Sequence, residues 1–276
     1  LTDGKTRAYY GESLPNPYLR AFPIKEVADI GRKHSIPLII DNTAAPVICK
    51  PIEHGAAVVM HSLTKYIGGH GTSIGGIIVD GGNFDWVKDP KRQPLMNQPD
   101  PSYNGAIWGR DVPKLTGANV AFAIRARVVL LRDLGAPLSP FNAFQIIQGL
   151  ETVAIRMKQH CANAEKVVKF LETQKKVKNV IYPTNHQGEI RDRAKRYMKG
   201  GYGSLVGMDL GSKELGAKFI DNLKLLYHVA NIGDARSLAI HPATTTHSQL
   251  TEEELLAAGV TPGYVRLSIG IEHPDD

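Results

Sequence analysis

Two short apolar runs near the start of the chain each lead into side chains that can do chemistry. The first run is followed by Asp41, and the second by Ser62, Thr64 and Lys65, with several glycines after the lysine. A carboxylate, two hydroxyls and an amine that can form a covalent bond are groups that a phosphorylated cofactor with a ring nitrogen requires. The spacing therefore predicts a cofactor site, provided that the fold brings the two runs side by side.

Both runs have the features of strands. Residues 37–40 and 57–60 are apolar and are bounded by turn-forming residues, which predicts two strands buried on both faces. In open α/β sheets, ligands collect outside the carboxyl ends of the strands. Asp41 and Ser62 lie at or near those ends, so we expect them to meet at one edge of the sheet.

The cofactor that these groups suit is pyridoxal phosphate. It needs a lysine for a Schiff base and an anion that keeps the pyridine nitrogen protonated, and Lys65 and Asp41 fit these roles. Ser62 and Thr64, with the glycines that follow, suit the phosphate. A Schiff-base lysine near a pyridinium in a partly dry pocket is expected to have a lowered pKa. Taken singly, a lysine before glycines is usually a solvated loop residue, and an Asp at a strand end usually caps a turn.

The combination resembles the Cys/Met-metabolism family of pyridoxal phosphate enzymes. This family includes cystathionine γ-synthase, cystathionine and methionine γ-lyases, and the O-acyl-homoserine sulfhydrylases. Residues 62–66, Ser-Leu-Thr-Lys-Tyr, followed by Gly-Gly-His-Gly at 68–71, are similar to its lysine signature. Asp-Asn-Thr at 41–43 is similar to its strand-end motif. The resemblance extends across nearly the whole chain.

Three further site residues are implied by this resemblance. Asn16, in a segment that departs from the family pattern only at Leu14-Pro15, becomes a contact to the ring hydroxyl or the substrate, although Asn-Pro alone is a turn signal. Arg266 becomes the residue that holds the substrate carboxylate, as a planar guanidinium can, although it could also face outward from a strand. Ser237 becomes the residue that steadies Lys65, with a bond to local backbone as the alternative.

The resemblance also implies an α/β fold with the large domain of pyridoxal phosphate fold type I, the aspartate aminotransferase-like fold, and a smaller α+β domain. We predict that residues 1–140 are an incomplete large domain with a parallel sheet, and that residues 141–276 are a long connecting helix and the smaller domain. Within the first part, residues 23–34 have helical spacing and residues 74–80 read as a strand. Residues 141–174 read as one long helix or a broken pair. One buried stripe of that helix is predicted to contain Leu150, Val153, Ala154 and Met157.

Segments in the middle of the chain resemble the O-acetylhomoserine sulfhydrylase branch of the family, namely residues 126–136, 139–144 and 148–152 and the polar stretch 88–115. The polar stretch could alternatively be a mobile surface excursion. The branch implies a pyridoxal phosphate-dependent transferase that performs γ-replacement on an O-acylhomoserine, with O-acetylhomoserine favoured. Sulfide or a thiol would replace the acyloxy group, giving homocysteine or methionine, while Lys65 moves the protons. The alternatives are another enzyme of the family and an inactive fragment with only an assembly role.

Composition favours a soluble, cytoplasmic enzyme. Of 276 residues, 42% are hydrophobic and 22% charged, and no run is long enough to span a membrane. The two cysteines read as reduced thiols, and neither they nor the histidines have the spacing of metal ligands. We read His61 as a packed strand residue. The net charge of +6 is spread along the chain, which argues against nucleic-acid binding and suits anionic substrates.

We expect the chain to act with more of its own protein. The resemblance places a Gly-rich phosphate loop and an aromatic residue that stacks on the ring upstream of the pattern matched here. It also implies a final helix beyond Asp276 and active sites shared between subunits, so we expect a homo-oligomer, by resemblance a tetramer. A sheet that lacks its first strands exposes an apolar edge, so the missing N-terminal segment is expected to contribute stability.

Overall fold

We describe residues 2–276 in a computed structural model; Leu1, the first residue of the predicted large domain, lies outside the described residues. The first sheet has the order β1-β2-β3-β4, with β1 to β3 parallel and β4 antiparallel to β3. Its strands are β1 (Tyr9–Glu12), β2 (Leu38–Asp41), β3 (Val58–Ser62) and β4 (Gly76–Asp80). The three predicted strands are confirmed, but the sheet is mixed because β4 returns directly alongside β3.

Burial of β2 and of the edge strand β4 differs from the prediction. Leu38 and Ile40 of β2 are buried, whereas Ile39 between them is only half-buried. On β4 the apolar side chains of both faces are open, with Ile77 46%, Ile78 47% and Val79 39% exposed. The prediction of strands buried on both faces is therefore right only in part, since no other part of residues 2–276 covers these positions.

Helices follow the strands as the pattern predicts. Helix α1 (Ile24–Lys33) connects β1 to β2. The polar stretch 88–115 is folded, because it contributes to a small core around Trp86 and Trp108. Helix α2 (Pro94–Asn97) and most of α3 (Trp108–Thr116) lie in this stretch. Helix α4 (Ala121–Arg125) follows it, and a π-helical segment, Ala126–Arg132, continues α4.

Helix α5 (Pro140–Glu172) is a single helix of 33 residues, and the Ser139 hydroxyl caps it by accepting a hydrogen bond from the Asn142 N–H. Its predicted stripe is only partly correct. Val153 and Met157 are buried, whereas Leu150 is 51% exposed and Ala154 is also exposed. The buried face is instead rotated toward other positions, which pack into two apolar clusters and against the turn after β3. Those positions include Gly149, Arg156 and His160.

The second half of the chain forms a five-stranded sheet of order β5-β6-β9-β8-β7, antiparallel except between β7 and β8. Its strands are β5 (Asn179–Ile181), β6 (Leu205–Asp209), β7 (Tyr227–His228), β8 (Leu238–Ile240) and β9 (Tyr264–Ser268). Three helices accompany it: α6 (Gly188–Tyr197), α7 (Lys213–Asp221) and α8 (Glu252–Ala257).

The two sheets do not have separate cores. One buried cluster joins Ile40 of β2 and Tyr66, which follows β3, to Met157 of α5 and Leu205 of β6. A second cluster packs the later part of α5 against β6 and β9. Helix α5 therefore connects the two sheets and fixes their relative position. No helix among residues 2–276 has both the length and the apolarity to cross a bilayer.

Candidate active site

A cleft of about 260 Å³ lies where the carboxyl ends of β1, β2 and β3 meet the middle of β9. Its position is the one that the strand-end rule predicts for a ligand site. Five of the seven predicted site residues line it. The lining consists of Glu12, Asn16, Asp41, Thr43, Ala44, Ser62, Lys65, Ala230, Asn231, Ile232 and Arg266.

Lys65 lies in a π-helical turn, Leu63–Ile67, where its own backbone is non-helical with φ −91° and ψ −131°. Its Nζ donates a hydrogen bond to Oδ1 of Asn231 at 2.7 Å. Burial lowers the pKa of Lys65, and the positive charge of Arg266 lowers it further. The predicted direction of this pKa shift is confirmed, although here a neighbouring guanidinium causes part of it.

Asp41 ends β2 with its carboxylate in the cleft. Its Oδ1 accepts a hydrogen bond from the Thr43 N–H at 2.9 Å, and its Oδ2 accepts a longer one, 3.3 Å, from the exposed Tyr10 hydroxyl. Glu12 is the register partner of Asp41 across β1 and β2 and also lines the cleft. Burial and the neighbouring Asp41 charge raise the pKa of Glu12. Two acidic side chains thus meet at this end of the sheet.

The two predicted hydroxyls are separated by the fold. Ser62 lines the cleft, and its N–H donates to Oγ1 of Thr43 at 2.7 Å. Thr64 lies outside the lining, where its Oγ1 accepts from the Gly75 N–H at 3.1 Å and donates to the Gly75 carbonyl at 3.4 Å. Of this pair, only Ser62 is placed to contact a ligand in the cleft.

Arg266 reaches the cleft from the middle of β9. Its Nη1 donates to Oδ1 of Asn16 at 3.3 Å and its Nη2 donates to the Asn231 carbonyl at 3.2 Å. Burial lowers the pKa of Arg266. The outward-facing alternative for Arg266 is therefore wrong, and Asn16 is brought to the site from a turn 250 residues away.

The prediction that Ser237 steadies Lys65 does not match its contacts. The Ser237 hydroxyl donates to Oε2 of Glu272 at 2.9 Å and accepts from the Gly270 N–H at 2.8 Å. Both partners belong to the segment after β9, so they hold the loop rather than the lysine. The contact with Lys65 is made by Asn231 instead.

Asn231 and Glu12 were both missed by sequence reasoning. Glu12 could have been found, because it ends a strand as Asp41 does, and the same strand-end rule applies to it. Asn231 lies in an irregular loop, two residues before Gly233, without a spacing or propensity that distinguishes it from any other loop amide. Only its contact with Lys65 identifies it.

The residues present fit pyridoxal phosphate. The cleft combines an amine with a lowered pKa, a carboxylate at a strand end and the Ser62 side chain within one small volume. Among residues 2–276, Oδ2 of Asp41 has only the long contact from Tyr10, so it can accept a hydrogen bond from a ring N–H. Within the described part of the chain, no group of three His, Cys, Asp or Glu gathers as metal ligands.

Known proteins resemble the chain along its whole length. It is similar to the O-acetyl-L-homoserine sulfhydrylase of Leptospira meyeri at 49% identity, covering 100% of this chain and 63% of that protein. It is also similar to the homocysteine synthase of Schizosaccharomyces pombe at 43% identity, covering 99% of this chain and 63% of that protein. The chain therefore spans less than two-thirds of the length of these relatives.

Solved structures resemble it as well. An O-acetylhomoserine (thiol)-lyase of Campylobacter jejuni, which carries a pyridoxyl-lysine phosphate, matches with a TM-score of 0.91 and 41% identity over 100% of this chain and 65% of that one. A cystathionine γ-lyase of Lactobacillus plantarum matches with a TM-score of 0.77 and 26% identity, over 99% and 62% of the two chains. The predicted fold type I architecture is confirmed. The sequence-family model described as Cys/Met metabolism PLP-dependent enzyme matches residues 1–276. The chain therefore belongs to that family of pyridoxal phosphate enzymes.

Proposed function

We propose that this chain contributes the catalytic lysine and the substrate-binding arginine of an O-acetylhomoserine sulfhydrylase. The observation that carries the proposal is the placement of Lys65 and Arg266 in one cleft, where Asn231 accepts a hydrogen bond from each. An amine of lowered pKa beside a guanidinium is the arrangement needed to deprotonate an amino acid held by its carboxylate.

Three residues would hold the cofactor. Lys65 would bind it covalently, Asp41 would accept a hydrogen bond from the ring nitrogen, and Ser62 would contact the phosphate. Thr64 would join Ser62 only after releasing Gly75. Once bound, the cofactor supplies an electron sink next to the substrate Cα. The strand-end position of Asp41 and the cleft position of Ser62 support this assignment.

The remaining roles follow from the charges in the cleft. Arg266 would hold the substrate carboxylate, with Asn16 beside it as a hydrogen-bonding partner. Burial and Arg266 both lower the pKa of Lys65, which favours the neutral amine that would take the Cα proton. The same amine would then move protons along the substrate, while the γ-acyloxy group leaves and sulfide or a thiol replaces it. Homocysteine or methionine would be the product.

The first test is the absorbance spectrum of the purified chain with pyridoxal phosphate. We expect a visible band that is lost in Lys65→Ala and retained in the exposed control Lys166→Ala. Supplying O-acetylhomoserine and sulfide, and in parallel cystathionine or methionine, then separates γ-replacement from the reactions of other family members. A wild-type protein without the band would contradict the proposal for this chain and favour the reading as an assembly fragment.

We also propose that the chain works in a cytoplasmic homo-oligomer, a tetramer by resemblance, together with further sequence of the longer protein. Open apolar side chains on β4 and on the first turns of α5 support this, including Phe141 67%, Phe144 55% and Ile147 54% exposed. Two free, buried cysteines, Cys49 and Cys161, suit a reducing compartment. Sedimentation of the chain should give an assembly larger than its 30.1 kDa mass.

The domain division at residue 140 is likewise a proposal. The two separate sheets support it, as does the start of α5 at Pro140. Because the two halves share one buried cluster, we expect them to unfold in a single cooperative transition, so the division describes the sheet architecture and not two independently folding units.

A further inference from the structure

We propose that Arg156, on α5, is a positioning residue that holds the turn carrying Lys65 and so directs the lysine amine into the cleft. Arg156 lies outside the cleft lining and has no part in the chemistry described above. The inference rests on the proposed function, since it concerns the orientation of the Lys65 side chain that would bind the cofactor.

The guanidinium contacts the two residues that directly follow Lys65. Its Nη1 donates to the Tyr66 carbonyl at 2.7 Å and its Nη2 donates to the Ile67 carbonyl at 3.0 Å. The backbone bonds of this turn use other carbonyls, because the Gly68 N–H donates to Leu63 and the Gly69 N–H donates to Lys65. The carbonyls of Tyr66 and Ile67 therefore depend on Arg156 for their partners.

The same side chain is anchored to its own helix. Nη2 also donates to the Gly149 carbonyl at 2.6 Å, and Nε donates to Oγ1 of Thr152 at 3.1 Å. A planar guanidinium with a fixed fork of donors connects two backbones more rigidly than a flexible ammonium can. The position of the Lys65 turn is thereby set by α5, the helix that joins the two sheets.

Two glycines leave space for this contact. A Cβ at Gly149 would overlap the Gly68 carbonyl oxygen, so only glycine lets the helix backbone approach the turn so closely. A Cβ at Gly69, where φ is +71°, would overlap the Arg156 guanidinium itself. The contact between α5 and the turn after β3 therefore requires three residues together, namely Gly149, Gly69 and Arg156.

Burying the positive charge of Arg156 costs free energy, because the groups around it are neutral oxygens. Arg156 is 5% exposed and forms no ion pair with any residue between 2 and 276. Burial lowers its pKa, as expected for a charge compensated only by neutral oxygens. A buried charge is weak support for stability, and a role in specifying one conformation explains its presence better. The conformation in question is the non-helical backbone of Lys65, with ψ at −131°.

Amine labelling tests this role without the cofactor. The rate at which an acylating reagent modifies Lys65, followed by mass spectrometry across pH, reports the pKa and accessibility of its Nζ. We expect Arg156→Met to shift this profile and to weaken binding of pyridoxal phosphate roughly tenfold or more, since ångström-scale displacement of a reacting group is costly. Arg156→Lys keeps the charge but reaches fewer carbonyls, so its profile should lie between the two.

Val168→Ala is the structural control, because Val168 is a buried residue of the same helix that packs in the second buried cluster, against β6 and β9. It should lower the unfolding midpoint and leave the Lys65 labelling profile unchanged. A wild-type profile in Arg156→Met, or in Arg156→Lys if the first variant does not fold, would overturn the proposal. A wild-type chain that fails to bind pyridoxal phosphate would contradict the proposed function instead, while the labelling comparison would still decide the role of Arg156.

Discussion

The Lys65 amine donates a 2.7 Å hydrogen bond to the Asn231 side chain, 166 residues further along the chain. The same asparagine accepts a hydrogen bond from Arg266 through its backbone carbonyl. One loop residue therefore contacts both basic side chains of the cleft, and its amide oxygen can accept a hydrogen bond from the protonated amine of Lys65. Removing Asn231 should lower the pKa of Lys65, whereas removing Arg266 should raise it. Substitutions at the two positions therefore separate the two effects.

Removing the Asn231 side chain should lower the pKa of Lys65. In Asn231→Ala the protonated amine loses a hydrogen-bond acceptor, so that form is less stable and the labelling profile should move to lower pH. Asn222→Ala is the control, because the Asn222 side chain bonds only to the Lys218 carbonyl on α7. An unchanged profile in Asn231→Ala would show that water replaces the amide without loss.

Removing the Arg266 charge should raise the pKa of Lys65. Arg266→Gln deletes a neighbouring cation that disfavours the charged amine, so the profile should move to higher pH. The control Arg127→Gln removes the same positive charge from an exposed position and should leave the labelling profile unchanged. If Arg266 also binds the substrate carboxylate, KM for O-acetylhomoserine should rise roughly 10- to 100-fold in steady-state assays. If the labelling profile moves to higher pH but KM is unchanged, Arg266 does not bind the substrate carboxylate.

Glu12 should make folding less favourable at neutral pH than at acidic pH. Its pKa is raised in the folded chain, so ionising it above that pKa costs free energy that the unfolded chain does not lose. We expect Glu12→Gln to stabilise the chain at pH 7 by about 0.5 kcal/mol, since water screens this partly open site, and to have no effect below about pH 4. Thermal unfolding at both pH values measures this, with the exposed Glu151→Gln as control. A stabilisation that persists at acidic pH would point to packing rather than charge.

Gly233 should tolerate no side chain because it packs on the residue after Lys65. A Cβ there would lie 2.5 Å from the Tyr66 ring, and Gly233 has φ +72°. Gly135 has φ +68° with nothing within 4 Å of its Cβ position, so Gly135→Ala measures the backbone strain alone. We expect Gly233→Ala to cost about 1–3 kcal/mol more than Gly135→Ala in urea unfolding, the amount typical of overpacking. Equal losses would mean that Tyr66 moves aside freely.

Local sequence was enough to predict two strands of the cleft, β2 and β3, and two of its charged groups, Asp41 and Lys65. The runs before Asp41 and Ser62 form strands where predicted, and the strand-end rule places both side chains in one cleft. Arg266 was predicted through a family resemblance, and its direction needed the structure, because an alternating strand pattern does not say which face is covered. Thr64 and Ser237 show the limit of the same reasoning, since their hydroxyls are used by Gly75 and Glu272.

What the sequence alone determined is therefore the α/β character of the chain, the positions of β2, β3 and β4, and the pairing of Lys65 with Asp41 at one edge of the sheet. These depend on apolar periodicity and on residue types that lie within a few positions of one another. Tertiary structure decided the partner of Lys65, the rotation of α5 that brings Arg156 to the turn, and the antiparallel return of β4. Each of these is a contact between distant segments, and its free energy depends on packing that no local pattern contains.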